Sequence, residues 1–242
     1  GKASYSADYA TKSTLYAKIL YSPAAHARIL NIDISEAQAA PGVIRVITRD
    51  NIHGTNLTGG LGVYDHPILI GEGEESHFSN EALALVVANS DINAAHARDL
   101  IKVEYEELPC VFTVDDAKRA GQEPFYVQKL QKGDIEEGLK QAAVIVEEEY
   151  SIPYQEHAYM ETEGGFAYVD HDGCITVVCG TQDLRANHKA VTSALGLPNN
   201  KVRFHSPYVG GAFGGKHLLT VQPYLTLLAQ EIQWPVKLVW SR

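Results

Sequence analysis

The chain has 242 residues, 45% of them hydrophobic, and its 20 Lys and Arg against 30 Asp and Glu give a formal net charge of −10. That composition excludes a disordered or collagen-like chain and leaves room for one large domain or two modest ones, with a real core. The acidic balance argues against a nucleic-acid binder, and no apolar run approaches the ~20 residues needed to cross a bilayer. Three cysteines, Cys110, Cys174 and Cys179, make a poor disulfide framework and fit a reducing, cytoplasmic setting. They are also too few for an iron–sulfur cluster, which takes four thiolates. No CxxC or HExxH spacing points to zinc. Gly1 is not a Met and no basic-then-apolar leader follows, so the first residue reads as a processed or artificial edge.

Alternation over residues 15–20, 27–34 and, after the Pro41-Gly42 turn, 43–47 predicts three strands. Residues 51–75, with Gly54, Gly59, Gly60, Gly62, Gly71 and Gly73, read as a long irregular loop. Residues 81–89 form a buried apolar strand, Ser90 or Asp91 caps a helix over 93–100, and 101–105 return to strand. The order is that of an α+β fold and not of repeated βαβ units. Pro109, Gly121 and Pro124 among charged residues mark 109–131 as a linker between domains at 1–108 and 132–242.

Beyond the linker, a short helix is expected over 134–142, a strand over 144–150 and, after the turn at 170–173, another over 175–180. Asp183 caps a helix that runs to Leu195 and is closed by Gly196 and Pro198. A strand at 201–205 leads into a glycine cluster. Residues 218–231 look helical, with Pro223 in the first turns where its missing N–H is best tolerated. A last strand over 236–240 runs into Arg242 without a tail, so the chain reads as truncated.

The sharpest local feature is Gly210-Gly211-Ala212-Phe213-Gly214-Gly215-Lys216. Glycines let backbone amides approach a ligand closely, and at a helix N-terminus those amides favour an anion or oxo group. A phosphate-binding loop would continue with Ser or Thr to hold magnesium; His217 stands there instead, which argues against a nucleotide hydrolase. A tight turn with no ligand explains the cluster equally well. Gln182, at the end of a strand, is either a solvated turn residue or a two-sided hydrogen-bonding group facing a ligand. The titratable run 155–161 is a structural network or an acid–base site. Lys216 either neutralises an anion or complements carboxylates, and Cys174 and Cys179 read as core residues.

Taken in order, residues 12–50, 101–109, Lys132-Gly133-Asp134, 155–161, Gly180-Thr181-Gln182 and 210–216 resemble the molybdenum-containing subunit of the xanthine dehydrogenase and aldehyde oxidase family. The likeness covers essentially the whole chain. It implies an α/β hammerhead domain over 1–108 followed by the first part of a molybdopterin-binding domain over 132–242. It also implies that the amides of Phe213 and Gly214 face the cofactor, that Gly211 and Gly215 give access, and that Gln182 hydrogen-bonds an oxygen ligand of molybdenum. His217 takes the place where purine-oxidising members carry a glutamate, which makes it a substrate contact. The family's general-base glutamate lies far downstream, so the resemblance places no catalytic residue and no direct metal ligand here. The implied activity is that of an oxidoreductase hydroxylating a carbon next to nitrogen in a heterocycle such as a purine, or an aldehyde carbon, with water as oxygen source. The implied cofactor is molybdenum–molybdopterin, plain or in its cytosine dinucleotide form, with 2Fe-2S clusters and FAD on other chains or domains. The implied partners are the remaining part of the molybdopterin subunit and the iron–sulfur and flavin subunits, with a small-molecule substrate and neither nucleic acid nor membrane. A non-catalytic scaffold of the same fold is the alternative.

Overall fold

The alternating runs near the start become strands because each has one face to bury. The computed structural model describes residues 1–60 and 63–241; Gly62 of the expected loop and the terminal Arg242 lie outside the described residues. In chain order the elements are β1 (Leu15–Tyr21), β2 (Ala27–Asp33), α1 (Ser35–Ala39), β3 (Val43–Ile47), β4 (Leu57–Gly60), β5 (Val63–Pro67), β6 (Glu75–Ser76), β7 (Ala82–Ala88), α2 (Asp91–Asp99) and β8 (Lys102–Glu107). They continue with α3 (Val114–Arg119), α4 (Ile135–Gln141), β9 (Gly164–Val169), β10 (Ile175–Cys179), α5 (Leu184–Leu195), β11 (Val202–His205), α6 (Gln222–Ile232) and β12 (Val236–Val239). The fold is α+β.

The chain divides into two units: residues 1–109 with 157–242, and residues 110–156. The first is organised by a seven-stranded sheet of order β11-β10-β9-β12-β1-β7-β3. Within it β12 runs parallel to β1 and antiparallel to β9, so stretches on both sides of the expected linker share one sheet. The strand–helix–strand run over 81–105 is divided between sheets. Strand β7, buried at every residue, takes an interior position. Strand β8, largely exposed, pairs with β2 in a separate three-stranded sheet, β6-β2-β8.

Helices α5 and α6 cover one face of the large sheet, where Val191, Leu195, Leu225 and Leu228 pack on Leu85, Val87, Val177 and Leu238. Each fully buried Leu or Val contributes about 1.5–3 kcal/mol. A smaller core joins Ala84 and Val86 of β7 to Ala97 of α2 and Ala37 of α1. Asp183 caps α5 by accepting from the Ala186 N–H at 2.9 Å, and Gly196 ends it in the left-handed region at φ 69°. Cys174 and Cys179 are buried, and burial pushes the Cys179 thiol up to about 12.

Four expectations change. Residues 51–75 are not one irregular loop: β4 and β5 form a hairpin. Its anchor is the buried Asn56, whose Oδ1 accepts from the Ile68 and Leu69 N–H groups at 3.2 and 3.1 Å and whose Nδ2 donates to Leu69 O at 2.7 Å. Residues 144–150 form no strand, because nothing among the described residues pairs with their backbone. Helix α6 begins at Gln222 and not at 218, with Pro223 in its first turn. Strand β9 was not expected at all. The 110–156 unit is largely exposed and contains α3, capped by the reciprocal Thr113 and Asp116 pair, and α4, capped by Asp134.

Candidate functional site

Beneath the glycine cluster lies the segment leading into β9. The Glu161 N–H donates to Gly210 O at 3.0 Å, and the Gly210 N–H returns a bond to Glu161 Oε2 at 2.8 Å. Lys216, only 1% exposed, donates from Nζ to Glu161 O and Oε2, both at 2.9 Å. Its ammonium also sits 4.7 Å from the Tyr159 ring centroid. The Ser6 N–H donates to Glu161 Oε1 at 3.1 Å. Burial alone would raise the Glu161 carboxyl, but the Gly210, Lys216 and Ser6 donors outweigh it and hold the group below its ordinary range. Glu163 is the opposite case. Burial pushes its carboxyl up, although the Tyr159 hydroxyl donates to Oε1 at 3.0 Å and the Thr220 hydroxyl to Oε2 at 2.9 Å.

Above this floor the loop meets the end of β10. The Gln182 N–H donates to Lys216 O at 2.9 Å, joined by the Thr181 hydroxyl at 3.4 Å. The Gly214 N–H donates to Gln182 Oε1 at 3.2 Å. Since an N–H can only donate, Oε1 must face the loop, which turns the two Nε2 hydrogens of the exposed Gln182 outward. Next to it the Phe213 N–H has no acceptor among the described residues. Phe213 sits at φ 50°, a conformation few bulky residues adopt, and the residue is 75% exposed. Together Gln182 and Phe213 form an exposed ledge whose amide donors have no acceptor among the described residues.

The glycines divide into two kinds. A Cβ on Gly210 would lie 2.5 Å from Glu161 Cβ, one on Gly211 3.0 Å from Tyr159 Cβ, and one on Gly215 2.7 Å from Tyr159 Cε1. These three are bare so that the loop can rest on Tyr159 and Glu161. Gly214 differs: a Cβ there would meet nothing nearer than His157 Nε2 at 3.8 Å. Gly214 is therefore the glycine of this loop where a Cβ would make only ordinary contact, while Gly211 and Gly215 face the floor.

Two sequence arguments fail on this geometry. The loop does not open a helix, since α6 starts at Gln222; the helix N-terminus beside it is that of α5, capped by Asp183 next to Gln182. Lys216 is buried against Glu161 and cannot reach a phosphate, which removes the nucleotide-loop reading. His217 is exposed, one residue beyond Lys216, with its N–H on Gly214 O at 3.1 Å. Sequence reasoning passed over Glu163 and Thr220 and left Glu161 and His157 within an unresolved run. Their pairings span sequence separations such as the 55 residues between Glu161 and Lys216, and no local pattern reveals them.

The donor set suits an oxygen-rich group: exposed amide donors without a protein acceptor share one ledge, and a side chain at Gly214 would project beside them. Residues 118–242 match a molybdopterin cofactor-binding domain, and residues 1–109 match the a/b hammerhead domain of aldehyde oxidase and xanthine dehydrogenase. The chain belongs to the molybdenum hydroxylase family. It is 35% identical over 249 residues to the nicotinate dehydrogenase large molybdopterin subunit of Eubacterium barkeri, covering 100% of this chain and 58% of that one. It is 32% identical over 249 residues to the xanthine dehydrogenase of Oryza sativa subsp. japonica, covering 100% and 18% respectively. Among solved structures, the aldehyde oxidoreductase from Desulfovibrio gigas superposes with a TM-score of 0.89 at 26% identity, over 99% of this chain and 28% of its own. Quinoline 2-oxidoreductase from Pseudomonas putida 86 gives 0.86 at 28% identity, over 98% and 32%. The chain thus spans between about a fifth and three fifths of the length of these proteins. No helix among the described residues is long and apolar enough to cross a membrane.

Proposed function

We propose that the chain is the N-terminal part of the molybdopterin-binding subunit of a hydroxylase that oxidises an N-heterocycle, such as a purine, or an aldehyde, with water as oxygen source. The observation that supports this reading is the ledge of outward amide donors at Gln182 and Phe213 beside the open position of Gly214. Gln182 Nε2 and the Phe213 N–H would hold the molybdenum–molybdopterin, plain or in its cytosine dinucleotide form, by donating to its oxygens. The Gly214 N–H keeps the Gln182 side chain turned toward the group. When bound, the cofactor supplies the two-electron redox chemistry; this chain's residues orient it with uncharged donors. Gly211 and Gly215 serve from below by letting the loop sit low, and His217 stands where it can meet a substrate. An imidazole there can donate or accept toward a polar heterocycle.

The remaining assignments follow from the same reading. Residues 1–108 act as the hammerhead domain, 109–131 as linker and 132–242 as the first part of the cofactor domain. The general base comes from further polypeptide of the subunit. Iron–sulfur and flavin subunits carrying 2Fe-2S and FAD take the electrons, and the complex works in the cytoplasm. Native mass spectrometry of the protein purified gently from its source, followed by turnover on a heterocycle and aldehyde panel, tests the proposal. Additional polypeptide, the mass of a molybdopterin and oxidation of at least one panel member support it. A chain with neither partner nor cofactor favours the scaffold.

A further inference from the structure

We infer that Lys216 and Glu161 are positioning residues, whose side chains set the direction of the Gln182 and Gly214 amides from beneath the ledge; the inference rests on the function proposed above. Lys216 ties three separate segments together. Its side chain bonds Glu161 O and Oε2, and its backbone carbonyl accepts from the Gln182 N–H and the Thr181 hydroxyl. Glu161 is equally committed, with Oε1 taken by the Ser6 N–H and Oε2 by the Gly210 N–H and Lys216. The loop is thereby fixed at its entry, Gly210, and its exit, Lys216.

A buried ion pair adds little to stability over a well-packed apolar pair of the same volume. It does add direction, because each of these bonds works only at one angle and distance. The ledge depends on that direction. The Gly214–Gln182 bond is a single 3.2 Å contact at the surface, too weak to hold its own geometry if the loop beneath it shifts. Moving Gly214 by about 1 Å turns the Gln182 amide away from its target, and misplacements of that size cost about 100-fold in rate.

Hydrogen exchange of the complete cofactor-free protein tests the clamp, comparing wild type with Glu161→Gln and with the double variant Lys216→Met/Glu161→Leu. The expected result is about tenfold faster exchange of the 210–217 amides in both variants, with α5 and α6 exchanging as in wild type. After cofactor loading, the Mo(V) electron paramagnetic resonance signal of the double variant should shift. Its kcat should fall about 100-fold with KM held within about threefold. A double variant with wild-type melting temperature and this loss separates positioning from stability. Should the double variant unfold, the shape-preserving Glu161→Gln carries the same measurements. Unchanged loop exchange, or an unchanged resonance signal with unchanged kcat, would overturn the inference. Exchange is measured before any cofactor is added, so a wild-type protein that takes up no molybdopterin refutes the proposed function and is told apart from failure of the clamp.

Discussion

Replacing Gly215 by Ala isolates the contact between loop and floor. The new methyl would sit 2.7 Å from Tyr159 Cε1, where ordinary contact begins at 3.4 Å. Gly215 has no positive φ, so alanine brings no backbone strain and the clash alone is measured. The Tyr159 ring cannot retreat freely: its hydroxyl donates to Glu163 and Lys216 lies over its face. Overpacking costs about 1–3 kcal/mol, and a buried Glu163 carboxyl that loses its Tyr159 donor costs about 1–3 kcal/mol more. Together they give about 2–6 kcal/mol, a fall in Tm of roughly 4–24 °C for a unit of this size. Thermal unfolding of the complete protein reads the value. Adding Tyr159→Leu should recover part of it, with a coupling of about 1–2 kcal/mol in the double-mutant cycle. Gly214→Ala is the control, since its nearest neighbour is 3.8 Å away and only φ 96° is unfavourable, at about 1–2 kcal/mol. A Gly215→Ala protein within about 0.5 kcal/mol of wild type would show that the floor does not dictate glycine there.

Gly214→Val should lower molybdenum content and turnover of the complete enzyme together while β10 and α6 stay folded; full loading with normal turnover would remove Gly214 from the ledge. His217→Ala should alter preference across a heterocycle and aldehyde panel more than it alters molybdenum content, and an unchanged preference would take His217 out of the substrate's reach. Glu163→Gln tests the raised carboxyl. A raised folded value means that wild-type stability falls as pH climbs from the ordinary carboxylate value through the folded one. The neutral variant lacks that loss, so its Tm relative to wild type should rise across the same interval; parallel Tm–pH curves would refute the assignment.

Elements with local signals were legible in the sequence. Helix α5 has a capping Asp183 and a stop at Gly196, and β7 is an unbroken apolar run. Strand β9 was hidden because it opens with Gly164 and Gly165, residues with no side chain to mark a strand. In the sheet Gly165 is bare for proximity, as a Cβ would lie 2.5 Å from Val178 O and 2.6 Å from Leu225 Cδ1. The opposite error came at 144–150, where Val144, Ile145 and Val146 suggest a strand. Strands exist only against a neighbour, and the local pattern carries no information about whether one is present. At the site, motif order singled out Gln182 and Gly214, which the fold joins by one hydrogen bond. Their support by Glu161 and Lys216 depends on the segment before β9 passing beneath the loop, a tertiary fact with no local trace.

The central place of β12 has a consequence for synthesis on the ribosome. Strand β1 pairs with β7 on one side, but its other edge waits for β12, and residues 22–235 must be made between them. At ~5–20 residues per second that interval lasts on the order of tens of seconds. Throughout it a Leu-Tyr-Ala-Lys-Ile-Leu-Tyr strand offers open hydrogen-bonding groups to any passing chain. Lys18, at the middle of that strand and paired in the finished fold with Asp91 at 2.8 Å, is the one charge on it. Lys18 lies beyond Leu15 and Tyr16, the residues that pair with β12, and a charge placed there disfavours pairing of that edge with another growing chain.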